Sequence, residues 1–208
     1  MSGRCCSQYG CDELFGERFA RRTARRYRRK GLDGEQRRIA DFLGGADSVL
    51  EIGGGVGAIA LDLGKRGAAA TLVEVVAAYE PVARELAGES GVELEFHLAD
   101  LVADPEAVDG ADAVALNKVV CCTPDGVRLT EAAARLARRR LALSYPRETR
   151  AARLFVRVQN VVFALVRRRF RVQLHRHRDL VAAAEAVGLR LTYGHEGRIW
   201  RVAGFERS

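Results

Sequence analysis

The sequence predicts a doubly wound α/β fold, a parallel sheet with helices on both faces. Three observations predict it. Short apolar segments at Ser48–Ile52, Ala70–Val76, Val92–Leu98, Ala111–Leu116 and Leu141–Tyr145 read as buried strands. Amphipathic helical stretches separate several of them, as crossovers between parallel strands require. The first strand runs into Gly53-Gly54-Gly55-Val56-Gly57, a turn that hands the chain to a helix. The 208 residues suit one domain with a small appendage, and 48% hydrophobic with 29% charged residues excludes wholesale disorder. No apolar run approaches the roughly 20 residues of a membrane span. Met1-Ser2-Gly3-Arg4-Cys5-Cys6 lacks the apolar stretch of a secretory signal, so a cytoplasmic protein is expected.

Taken in order, residues 1–12 read as a polar tail. Asp12–Lys30 is expected to be a helix, because Phe15, Phe19, Thr23 and Tyr27 recur every fourth residue against an arginine-coated back. Gly31 and Gly34 break it, and Glu35–Leu43 forms a second short helix. Residues 1–43 are thus a tail and helical lid, and residues 44–208 the main domain. Within that domain, helices are expected over Ala58 to about Arg66, Tyr79–Ala87 and Asp125–Arg140. After Pro146 a long helix, Thr149–Arg169, carries Leu154, Val158, Val161 and Leu165 on one face, with Arg153, Arg157 and Asn160 on another. Its apolar face is expected to pack over the site. A loop containing His175 and His177, a helix over Asp179–Val187 and a hairpin of Leu189–Gly194 with Arg198–Phe205 complete the chain.

The net charge of +7 is uneven: residues 1–43 carry 11 basic and 6 acidic groups, residues 44–125 carry 4 and 15, and residues 126–208 carry 19 and 6. Positive ends attract an anionic partner, but sparse aromatics (7%) and no nucleic-acid-binding signature argue against specific nucleic-acid recognition. The five cysteines, Cys5, Cys6, Cys11, Cys121 and Cys122, show no C-x-x-C spacing, so no metal site is expected from spacing.

The glycine turn carries the strongest chemical signal. Alternate glycines let the backbone approach a ligand, and the following helix offers free N–H groups. Glu74 ends the next strand, where a carboxylate accepts the hydroxyl hydrogens of a ribose. A nucleoside-bearing cofactor follows. Gly53-x-Gly55-x-x-Ala58 also fits a dinucleotide fingerprint, which keeps an NAD(P)-dependent oxidoreductase as an alternative. Glu51, two residues before the first glycine, would sit badly beside a pyrophosphate, since like charges repel in a partly buried site.

Glu51-x-Gly53-x-Gly55-x-Gly57 resembles motif I of the class I S-adenosylmethionine-dependent methyltransferases, and the resemblance spans roughly residues 40–206. It implies a Rossmann-like, seven-stranded sheet with an antiparallel last strand and a small-molecule acceptor. In that family the Glu51 position orders the turn around the methionine end of S-adenosyl-L-methionine. Gly53, Gly55 and Gly57 would hold that end, Glu74 the ribose, and Asp100 and Leu101 the adenine, with Asn117 beside the sulfonium. Asn117-Lys118-Val119-Val120-Cys121-Cys122-Thr123-Pro124-Asp125 looks like motif IV and its loop, except that Cys121-Cys122 stands where many relatives carry Glu-His. The last third, with its His-x-His loop, is similar to magnesium-protoporphyrin O-methyltransferases. The fourth strand lacks the Pro-Pro-Tyr/Phe signature of amino-methyltransferases acting on nucleic-acid bases.

Asn117, Tyr145 and His175 are the candidates for catalysis, with Cys121, Cys122 and His177 also on the acceptor side. Two further readings stay open. Clustered cysteines would capture a soft metal or metalloid acceptor, whereas the alternative is small apolar packing residues. The basic helices would dock on anionic lipid or nucleic acid, with the cofactor site vestigial.

Overall fold

The structure, a computed structural model, describes residues 10–207. The strands are β1 (Ser48–Ile52), β2 (Ala69–Glu74), β3 (Leu94–Leu98), β4 (Ala111–Asn117), β5 (Ala137–Pro146), β6 (Leu189–Glu196) and β7 (Trp200–Arg207). They form one seven-stranded sheet in the order β3-β2-β1-β4-β5-β7-β6. β1 to β5 pair in parallel, and β7 runs antiparallel between β5 and β6. This is the predicted topology. Its strand order reverses between β1 and β4, which opens a crevice at their carboxyl ends.

Helices α1 (Cys11–Leu14), α2 (Glu17–Lys30), α3 (Gly34–Leu43), α4 (Ala58–Lys65) and α5 (Glu80–Ser90) lie in the lid and on one side of the sheet. α6 (Gly126–Leu136) and α8 (His177–Glu185) cover the other side, and α7 (Arg150–Leu165) lies outside both layers. Two apolar clusters sandwich the sheet, one built around Ile39, Ile59 and Leu72 and the other around Leu50, Leu116, Leu141 and Phe205. No helix among the described residues is long and apolar enough to cross a membrane.

Several expectations are corrected. The first helix is interrupted at Phe15-Gly16, where Phe15 N–H closes α1 on Cys11 O. The buried seam of α2 is Ala20 and Ala24, both fully buried, whereas Phe19 is 40% exposed. Small side chains let α2 lie close over α5 and the 3-10 turn Ala77–Tyr79. The helix expected over Asp125–Arg140 stops at Leu136, because the backbone from Ala137 onward pairs with β4. Arg138 to Arg140 read as helix formers, yet Arg140 donates to Phe42 O and Gly44 O and staples α3 to the sheet. The apolar face of α7 points to solvent rather than over the site, and none of its residues is buried. Its inner side is held by Phe163, packed against Phe170, and by Asn160, expected on the polar face, which exchanges hydrogen bonds with Val172.

Residues 33–35 are also tied to the end of β4 by an ion pair. Asp33 caps α3 by accepting from Gln36 N–H, while Gln36 returns a bond to Asp33 N–H. Lys118, just beyond β4, reaches Asp33 at 2.8 Å and Glu35 at 3.0 Å. Burial alone would raise the Asp33 carboxyl, but Gln36 N–H and the Lys118 ammonium outweigh it and hold it below its ordinary value.

The seam makes a clear prediction. Ala24→Leu overpacks the contact between α2 and the body and should cost about 1–3 kcal/mol in urea denaturation. Phe19→Ala should cost less, and the reverse order would restore the phase in which Phe19 faces the core.

Candidate active site

The glycine turn begins where β1 ends. Gly53, Gly55 and Gly57 have φ of 62°, 62° and 74°, the left-handed region that side chains strain. A side chain at Gly53 would collide with Val119, and one at Gly54 with the Glu51 carboxyl. The turn is therefore pressed between the loop after β4 and an acid beneath it.

Glu51 is fully buried. Its Oε2 accepts from Ile59 N–H at 3.0 Å and Ala60 N–H at 2.8 Å, in the first turn of α4. Its Oε1 is buried with no hydrogen-bond partner among the described residues. Burial pushes this carboxyl up to about 8; the two N–H bonds oppose the shift and Glu74 adds to it. The second acid, Glu74, is 5% exposed and accepts from Gly55, Val75 and Val76 N–H groups. Burial raises it too, against those three bonds. Both acids hold the turn from behind.

A cavity opens at the carboxyl edge, lined by Ile52 and Gly53 from the turn, Val73 and Val75 around Glu74, and Asp100 and Leu101 after β3, among others. Its far wall is Val119, Cys122, Thr123 and Asp125, and Cys11 closes it from the lid. Of the expected cofactor residues, Gly53, Asp100 and Leu101 line this space. Glu51, Glu74, Gly55, Gly57 and Asn117 stand outside its lining. Asp100 Oδ1 accepts from Val102 N–H, which sets the turn after β3.

The acceptor-side candidates divide into three groups. Asn117 Oδ1 accepts from the Ser144 hydroxyl at 2.7 Å, and that hydroxyl accepts from Lys118 N–H. Lys118 itself has φ of 60°, an uncommon value for a side-chain-bearing residue. Tyr145 is buried, with its oxygen 2.5 Å from His177 Nδ1 and the rings stacked. Burial pushes the Tyr145 hydroxyl up to about 12, and it lowers His177, which Arg201 lowers further. His175 Nε2 donates to Thr123 O at 3.0 Å, so it pins its own loop to the cavity wall.

Cys122 faces the cavity and Cys121 is buried behind it, with both thiols near Lys118 O. The proximity of the two thiols lowers Cys121 and, together with burial, raises Cys122 well above the ordinary thiol range. The sulfur at the cavity is thereby kept protonated. Cys5 and Cys6 lie outside the described residues, and among the described residues no group of three or more metal-ligating side chains occurs. Sequence reasoning missed Lys118, whose role comes from a backbone conformation and from partners more than 80 residues away.

Comparison with known proteins gives one family match and a set of related folds. Residues 50–140 match the family described as a methyltransferase domain. Magnesium protoporphyrin IX methyltransferase from Synechocystis PCC 6803, solved with bound SAH, is similar over 95% of this chain and 100% of its own, at 19% identity and a TM-score of 0.69. An O-methyltransferase family protein from Burkholderia thailandensis is similar over 96% of this chain and 63% of its own, at 14% identity and a TM-score of 0.73. An O-methyltransferase family 2 protein from Planctomyces limnophilus DSM 3776, in complex with apigenin, covers 92% and 62% at 18% identity and a TM-score of 0.66. No curated protein matches the sequence.

The buried acid sets a pH dependence. Glu51 is raised from 4.5 to about 8 in the folded chain, so the unfolded chain ionises it first. Its contribution to stability is complete below pH 4.5 and is lost as pH rises towards 8. Glu51→Gln should flatten that fall in denaturant midpoints measured across the range. An unchanged slope would show that Glu51 is ionised at ordinary cost.

Proposed function

We propose, starting from the methyltransferase domain formed by residues 50–140 within a class I, Rossmann-like fold, that this chain methylates a hydroxyl on a small acidic molecule. S-adenosylmethionine-dependent methyl transfer to a small molecule is the reading that the domain match and the fold support; the acidic acceptor and the residue roles extend it. The observation that carries it is the buried Glu51 carboxyl beneath the glycine turn, with one oxygen lacking a partner. S-adenosylmethionine brings a sulfonium and an ammonium, positive charges that suit that buried acid, whereas a pyrophosphate adds negative charge to it. The domain match and the intact turn replace the nicotinamide reading and the reading of a vestigial site.

S-adenosylmethionine, when bound, supplies an electrophilic methyl group for an in-line displacement. Gly53, Gly55 and Gly57 would hold its methionine end, with Glu51 shaping the turn from below. Glu74 would serve the ribose, Asp100 the adenine amino group and Leu101 the ring face. Asn117, fixed by Ser144, would stand at the sulfonium. The rest of the chain's work is orientation and exclusion of water, which α1 and Cys11 perform at the mouth.

A hydroxyl acceptor loses a proton as it attacks. We place its base at His177, beside Tyr145 and His175, which the sequence offers as candidates for catalysis without assigning a base. With His177 Nδ1–H donating to the Tyr145 oxygen, Nε2 holds a lone pair, and the lowered His177 is neutral at pH 7. Tyr145 then positions the base, and His175 shapes the wall through Thr123. Arg201 lies beside this pair and Glu148 accepts from His177 N–H, so a guanidinium and a carboxylate both border the acceptor side.

Isothermal titration should show saturable binding of S-adenosylhomocysteine and none of NADH, with Gly53→Ala reducing the former at least tenfold through the Val119 collision. Saturable NADH binding without S-adenosylhomocysteine binding would overturn the assignment. Once an acceptor is in hand, His177→Gln should lower kcat by about 10²–10⁴-fold and remove the acidic limb of its pH profile, which should lie below pH 6.5. An unaltered profile would remove His177 as the base.

A further inference from the structure

α7 is the only helix among the described residues with no buried residue. Leu154, Phe155, Val158, Val161, Val162 and Leu165 are between 48% and 77% exposed. At 3.6 residues per turn these six occupy an arc of about 120°. Asn160 and Phe163 lie on the opposite side and hold the helix to the body, Asn160 through Val172 and Phe163 against Phe170. The exposed arc is therefore the outward face of a docked helix.

Charge decides what covers it. Residues 149–178 contain nine arginines and no aspartate or glutamate. Arg150, Arg153 and Arg157 run along one edge of the apolar arc by the same helical spacing, Arg167 follows its end, and all four are exposed without an ion pair among the described residues. A second copy of this face would bring arginines to arginines, so the patch is not self-complementary. Nucleic acid would satisfy the arginines but offers bases that stack on aromatics, and this arc presents only Phe155. An anionic bilayer supplies both partners, acyl chains for the arc and lipid phosphates for the guanidinium groups.

We infer that α7 is an interfacial helix that docks this chain on anionic lipid surfaces. The helix starts four residues beyond Pro146 at the end of β5, and the loop after it is tied to the cavity wall by Gln173 N–H on Cys121 O and by His175 on Thr123 O. Ile199, 65% exposed, accepts from Arg147 N–H three residues before the start of α7. The inference does not depend on the methyltransferase reading.

Sedimentation of the full chain with vesicles tests it. The protein should pellet with mixed phosphatidylcholine and phosphatidylglycerol vesicles and stay in solution with phosphatidylcholine alone. Arg153→Gln and Arg157→Gln should each weaken partitioning about fivefold, converting about 1 kcal/mol per surface arginine. Phe155→Ser with Leu165→Ser should weaken it at least tenfold. These positions are exposed, and unchanged S-adenosylhomocysteine titration or thermal unfolding of the variants serves as the check on folding. The inference fails if anionic vesicles do not retain the wild type, or if the Phe155 and Leu165 variant binds them equally well. It also fails if analytical ultracentrifugation shows a dimer that this variant abolishes.

Discussion

The site depends on a carboxyl group that should be costly to bury. Glu51 is removed from water and given only two backbone donors, Ile59 and Ala60 N–H, so one of its oxygens stays unsatisfied. Those two donors belong to the first turn of α4, whose leading N–H groups lack partners within the helix. The same carboxyl fixes the start of α4 and the floor of the glycine turn. Gly54 must lie flat on it, and Gly53 must lie flat under Val119. The shape of the turn is therefore set by packing on both sides of a backbone without side chains. The cost of the buried acid falls on stability.

The lid is joined to this arrangement through Lys118. Its left-handed backbone turns the chain sharply after Asn117, and its ammonium joins Asp33 and Glu35 of α3 while lying over Trp200 of β7. One side chain thus links the lid, the switch point of the sheet and the antiparallel hairpin. A strained residue at this position fits a role in placing Asn117 and the loop that carries Val119 and Cys122.

Much of this was readable in the sequence, for identifiable reasons. β1 falls on the predicted residues because Ser48–Ile52 is apolar and bounded by glycines on both sides. The turn was legible because glycine is the residue its conformations require. Which way a helix faces was less legible. The stripe of Leu154, Val158, Val161 and Leu165 is a true apolar face, but periodicity records amphipathicity and not which surface the face meets. In α2 the large residues Phe15 and Phe19 drew attention, while the close contact belonged to Ala20 and Ala24. Tyr145 with His177, and Lys118 with Asp33, are pairings across 32 and 85 residues that only the fold brings together.

A crystal structure of the chain with S-adenosylhomocysteine tests the central claim most directly. The account predicts its amino-acid end over Gly53 to Gly57, its ribose at Glu74 and its adenine between Asp100 and Leu101. Density for that compound away from the carboxyl edge of β1 and β4, with the glycine turn untouched, would contradict it.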